Sequence, residues 1–112
     1  MVFYTPSKSI ILFGGADEAK VYGDTWSFSG VKWKKIADTG PPSRTFPCMI
    51  MAADYILLFG GNAVLFGSDT NPVHYLDDTW KFQNDTWKEI VTDLHPSARA
   101  DAAIAYDPHV KK

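Results

Sequence analysis

The chain has 112 residues, 46% of them apolar and 21% charged, with a formal net charge of −2. That suits about one small folded domain and excludes a disordered or collagen-like chain. The missing basic excess disfavours nucleic acid, no apolar run approaches the ~20 residues of a membrane span, and the single cysteine, Cys48, excludes an internal disulfide and a cysteine-rich zinc site.

The N-terminal residues lack the charged and long apolar stretches of a signal peptide, so a cytoplasmic location is expected. In chain order, the first element is a short strand ahead of Tyr4-Thr5-Pro6. Ile10-Ile11-Leu12-Phe13 reads as an apolar strand ended by Gly14-Gly15. Asp24-Thr25-Trp26-Ser27-Phe28 and Trp33-Lys34-Lys35-Ile36 follow as two more strands. Pro41-Pro42-Ser43-Arg44 is a rigid lead-in, because proline fixes the backbone and cannot join a central ladder. The apolar run Phe46 to Ala53 predicts a strand buried on both faces, and Tyr55 to Phe59 a second apolar strand ended by Gly60-Gly61. Thr79-Trp80-Lys81-Phe82 places two aromatics on one face, Gln83 to Thr86 is a hairpin turn, and Trp87-Lys88-Glu89-Ile90 is an edge strand with charge at its middle. No window sustains helical periodicity, so the predicted class is all-β.

These elements are one unit used twice. The apolar strand with its glycine pair recurs at an offset of 46 residues and the first tryptophan at 54, so eight residues are inserted between Gly61 and Asp78. The Pro-to-Arg spacing of the lead-in recurs at Pro96 to Arg99, and Tyr106-Asp107-Pro108 echoes Tyr4-Thr5-Pro6. The expected organisation is a first unit over 1–36 with a partly truncated first strand, a second over 41–90 with an inserted loop at 62–77, and the start of a third at 95–112.

This ordered set resembles the kelch repeat, the four-stranded blade of a β-propeller. Phe28 and Phe82 stand where the family usually has tyrosine, and the hairpins after them are shorter than usual. The resemblance implies two antiparallel kelch-type blades. These make an incomplete propeller unless other copies or a longer chain supply the rest, because closed propellers have four to eight blades. Two arrangements remain open: the remaining blades belong to a parent chain, or chains assemble head-to-tail, with a trimer of six blades favoured over a dimer of four.

Candidate binding residues follow from the repeat and from its interruption. Arg44 and Arg99 occupy equivalent positions; they read either as ligand contacts or as pairs to backbone carbonyls or a neighbouring carboxylate. The inserted loop carries Phe66, Asp69, His74 and Tyr75, and its shorter counterpart carries Tyr22; function tends to sit in loops on rigid scaffolds. Glu89, Asp93 and His95 read as a chance cluster, so no metal or cofactor is expected. No catalytic constellation is evident, Cys48 lacks a neighbouring base, and the ligand set implied by galactose-oxidase-like relatives is not matched. The expected function is a non-catalytic protein-interaction or scaffold module with a protein partner. The alternative is part of a carbohydrate-binding or enzymatic propeller.

Overall fold

The computed structural model describes residues 2–18, 20–64, 74–100, 102 and 104. They form eight strands: β1 (Val2–Tyr4), β2 (Ser9–Phe13), β3 (Thr25–Phe28), β4 (Trp33–Ala37), β5 (Cys48–Ala52), β6 (Tyr55–Asn62), β7 (Tyr75–Gln83) and β8 (Thr86–Ile90). Two four-stranded antiparallel sheets result, ordered β1-β2-β3-β4 and β5-β6-β7-β8. Among the described residues, no helix is long and apolar enough to cross a membrane.

Four local expectations are corrected. The run from Phe46 does not start the strand: Phe46 has a φ of 57°, is 61% exposed, and turns the chain so that β5 begins at Cys48 after Pro47. Gly60-Gly61 does not end β6. Both glycines take positive φ, and the register shifts between Phe59 and Gly61, so the pair forms a bulge inside a longer strand. β7 starts at Tyr75, four residues before the expected Thr79, because Leu76 and Tyr75 pair with Gly61 and Asn62 beyond that bulge. The strand expected to be buried on both faces is instead an edge strand with half-buried Met49, Ile50 and Met51. The deepest strand is β6, with β5 and β7 on either side, and Ile56 and Leu58 are fully buried.

The sheets pack face to face because strand alternation gives each an apolar face. Tyr4 and Ile11 of the first sheet meet Ile56 and Phe82 of the second, with Val2, Ile36, Met49, Met51 and Trp87 around them. The rings pack edge to face, Tyr4 on Phe82 and Phe13 on Trp87, each pair with centroids 5.4 Å apart. Polar contacts also cross this interface: the Trp87 indole N–H donates to Oγ1 of fully buried Thr25 at 2.9 Å, the Tyr4 hydroxyl donates to the Asp54 carbonyl at 3.5 Å, and the Asn84 N–H donates to the Tyr4 hydroxyl at 3.4 Å.

The two ends of the sheets differ. At one end, β1–β2, β3–β4, β5–β6 and β7–β8 are joined by turns of two to four residues. At the other emerge the longer connections, residues 14–24, 38–47 and 63–74, and the segment that follows β8.

Candidate functional site

Among the described residues, the candidates Tyr22, Arg44, His74, Tyr75 and Arg99 lie at the long-loop end. Arg44 sits in the connection from the first sheet to the second, and its backbone belongs to the first. Its N–H donates to the Tyr22 carbonyl at 3.1 Å, and its carbonyl accepts from the Gly15 N–H at 2.9 Å. Gly14 makes this approach possible: its φ is 71°, and a Cβ there would stand 2.5 Å from the Arg44 carbonyl oxygen.

The Arg44 side chain belongs to the second sheet. Its guanidinium is fully buried and grips Asp78 bidentately, Nη1 to Oδ1 at 2.5 Å and Nη2 to Oδ2 at 2.6 Å. Nη1 also donates to the Gly60 carbonyl at 2.9 Å, and Nε to the Pro42 carbonyl at 3.0 Å. The Trp80 indole donates to Asp78 Oδ2 at 2.7 Å. Burial works to raise the Asp78 pKa, but the hydrogen bonds from Arg44 and Trp80 and the Arg44 charge outweigh it and hold the carboxyl below its usual range. A guanidinium so engaged offers no free face to a ligand.

Arg99 repeats the backbone half of this arrangement. Its N–H donates to the Leu76 carbonyl at 3.1 Å, and its carbonyl accepts from Gly61 N–H at 2.9 Å. A Cβ on Gly60 would stand 2.5 Å from the Arg99 carbonyl oxygen, as at Gly14. The Arg99 side chain is exposed and turns back on Ser97, Nε to the carbonyl at 2.9 Å and Nη2 to Oγ at 2.8 Å.

Tyr22 is half-buried, and its hydroxyl donates to the Asp17 carboxylate, which raises its pKa. The Lys20 ammonium lies 4.9 Å from the centre of its ring. Tyr22 lines an open cleft of about 580 Å³ with Gly23, Asp24, Lys35, Asp38 and Ser43, between the first sheet's loop and the connection to the second. Lys35 and Asp38 form an exposed pair at 2.6 Å, and this pairing raises the Lys35 pKa.

His74 and Tyr75 are exposed beside the base of the inserted loop. There the Asn62 side-chain carbonyl accepts the N–H groups of both Val64 and His74, at 3.1 and 3.2 Å. Asp69 and Phe66 lie outside the described residues. The structure brings Tyr22 and the Arg44 backbone together; His74 and Tyr75 flank the neighbouring loop, and Arg99 stands on the segment after β8.

Asp24, Lys35 and Asp38 were missed as cleft residues by sequence reasoning. The repeated Asp-x-Trp pattern singles out Asp24, whose carboxylate accepts the Trp26 indole at 2.8 Å as Asp78 accepts that of Trp80. The pairing of Lys35 with Asp38 carries no comparable sequence signal. Cys48 is buried, and its thiol donates to the Ala102 carbonyl at 2.9 Å. His95 stands 3.9 Å from Asp77. Among the described residues, no three His, Cys, Asp or Glu side chains converge as a metal site. Compared with protein-family models and with curated proteins, the chain matches none.

Proposed function

We propose that this chain is a non-catalytic protein-interaction module, built from kelch-type β-propeller blades, that receives its partner at the long-loop end. The observation that carries this reading is the segregation of connections: all long ones leave the sheets at one end, and short turns close the other. A double sheet with its long connections gathered at one end has the design expected of a binding scaffold. The cleft beside Tyr22 adds a recess with both charge signs, Asp24 and Asp38 against Lys35, suited to a polar peptide.

The test is selection from a random peptide library on the immobilised chain. Selected peptides should lose at least tenfold in affinity against Tyr22→Ala and against Lys35→Ala, with circular dichroism unchanged. Peptides that bind both variants as they bind the parent chain would remove the loop end from consideration. A rise in melting temperature with simple sugars, and no selected peptides, would favour a carbohydrate-binding propeller instead.

A further inference from the structure

We propose that a second copy of this chain docks head-to-tail on the first, Arg99 of one reaching Asp24 of the other, so that the junction inside the chain recurs between chains. The internal junction is the template. Arg44, anchored by backbone to the first sheet, reaches across to the Asp78 carboxylate and the Gly60 carbonyl of the second. Its Cδ passes 3.2 Å from where a Cβ on Gly61 would be. Trp87 of the second sheet donates to Thr25 of the first.

Each half of that template stands again on an outer face. On the second sheet, Arg99 is held by its backbone as Arg44 is, and Thr79 occupies the position of Thr25. Leu57, Phe59 and Thr79 line an apolar hollow of about 280 Å³ there, flanked by Pro96 and Ala102. On the first sheet, Asp24 repeats Asp78 and Trp33 repeats Trp87. Among the described residues, no cation lies within pairing distance of Asp24, and no atom lies within 4 Å of where a Cβ on Gly15 would be. The ground that Arg44 covers over Gly61 is therefore open over Gly15. Trp33 is 47% and Phe3 54% exposed, and Phe3 lines a second hollow of about 240 Å³ with Ile10 and Phe28.

The two outer faces are complementary rather than alike. One presents a guanidinium and a threonine hydroxyl, the other a carboxylate and an indole N–H. Such a pair of faces joins heterologously, head to tail, and not about a two-fold axis.

The experiment is the mass of the full chain in solution, by size-exclusion chromatography with light scattering over a concentration series. A discrete multiple of the chain mass is expected. Arg99→Gln and Asp24→Asn should each weaken association by about thirtyfold or more, as expected when one partner of a desolvated charge pair is removed. Both residues are outside the packed core, and unchanged circular dichroism separates lost association from lost folding. Lys88→Gln, exposed on β8, should leave the mass unchanged. A monomer at every concentration, a polydisperse aggregate, or an oligomer equally tight in Arg99→Gln and Asp24→Asn would overturn the proposal.

Discussion

Truncating Arg44 strands the Asp78 carboxylate without its bidentate partner, and truncating Asp78 strands a guanidinium buried away from water. Arg44→Ala and Asp78→Ala should each cost about 3–5 kcal/mol of unfolding free energy. The double variant should cost clearly less than their sum, because neither charge is then left unpaired; urea titration of the four proteins measures the coupling. The pair also fixes a pH dependence. The folded-state pKa of Asp78 is lowered, so its stabilisation is complete above the unfolded value of about 3.9 and is lost as pH falls through the folded value. Between about pH 6 and pH 3, the urea midpoint of the parent chain should fall further than that of Asp78→Asn. The repeated Arg and Asp are visible in the sequence. That Arg44 spends its backbone on one sheet and its side chain on the next is not, because spacing says nothing of which partner 34 residues away it will meet.

At the scale of the element, the glycine pairs have two separable demands. Gly14 needs a positive φ and the space where Arg44 carbonyl oxygen approaches, whereas Gly30, with a φ of 99°, has no atom within 4 Å of its missing Cβ. Gly30→Ala should cost only the strain of a left-handed residue, about 1–2 kcal/mol. Gly14→Ala should cost at least about 1 kcal/mol more, since a backbone carbonyl must move as well; thermal unfolding of the two variants compares them. The number of strands and their succession along the chain were legible from apolar runs, turn residues and repetition. The boundaries at Gly60-Gly61 and Tyr75 were not, since a glycine pair serves equally to stop a strand or to bulge it, and the bulge becomes evident only from the pairing of Leu76 with Gly61. The burial of β6 rather than β5 is likewise a matter of sheet order, which hydrophobicity alone does not encode.

For the whole molecule, the interface between the sheets determines whether they melt together. Thr25 and Trp87 are 62 residues apart and provide one of the polar contacts across it. Thr25→Val keeps the shape and leaves the indole N–H unsatisfied, so a loss of about 1–3 kcal/mol is expected. Tryptophan fluorescence and far-ultraviolet circular dichroism should still report one shared transition, because the apolar contacts of Tyr4, Ile11, Ile56 and Phe82 persist. The candidate site was legible in part: the sequence places Tyr22 and His74 in loops, but Tyr75, expected in the inserted loop, begins β7; their common end of the sheets follows from strand direction, and the cleft beside Tyr22 depends on where the connection to the second sheet runs.

The clasp at the base of the inserted loop has a consequence for tolerance to change. Asn62 holds both limbs by its side chain, and Ala63 N–H donates to the His74 carbonyl at 2.9 Å, so among the described residues the closure is made at the base of the loop, by Asn62, Ala63, Val64 and His74. β7 resumes its pairing with β6 at Tyr75, directly after this clasp. Doubling the length of the inserted segment would cost only about 0.6 kcal/mol in closure entropy. Foreign sequence spliced between Val64 and His74 is therefore expected to leave the register of both sheets unchanged, with an unfolding midpoint close to that of the parent chain as the check.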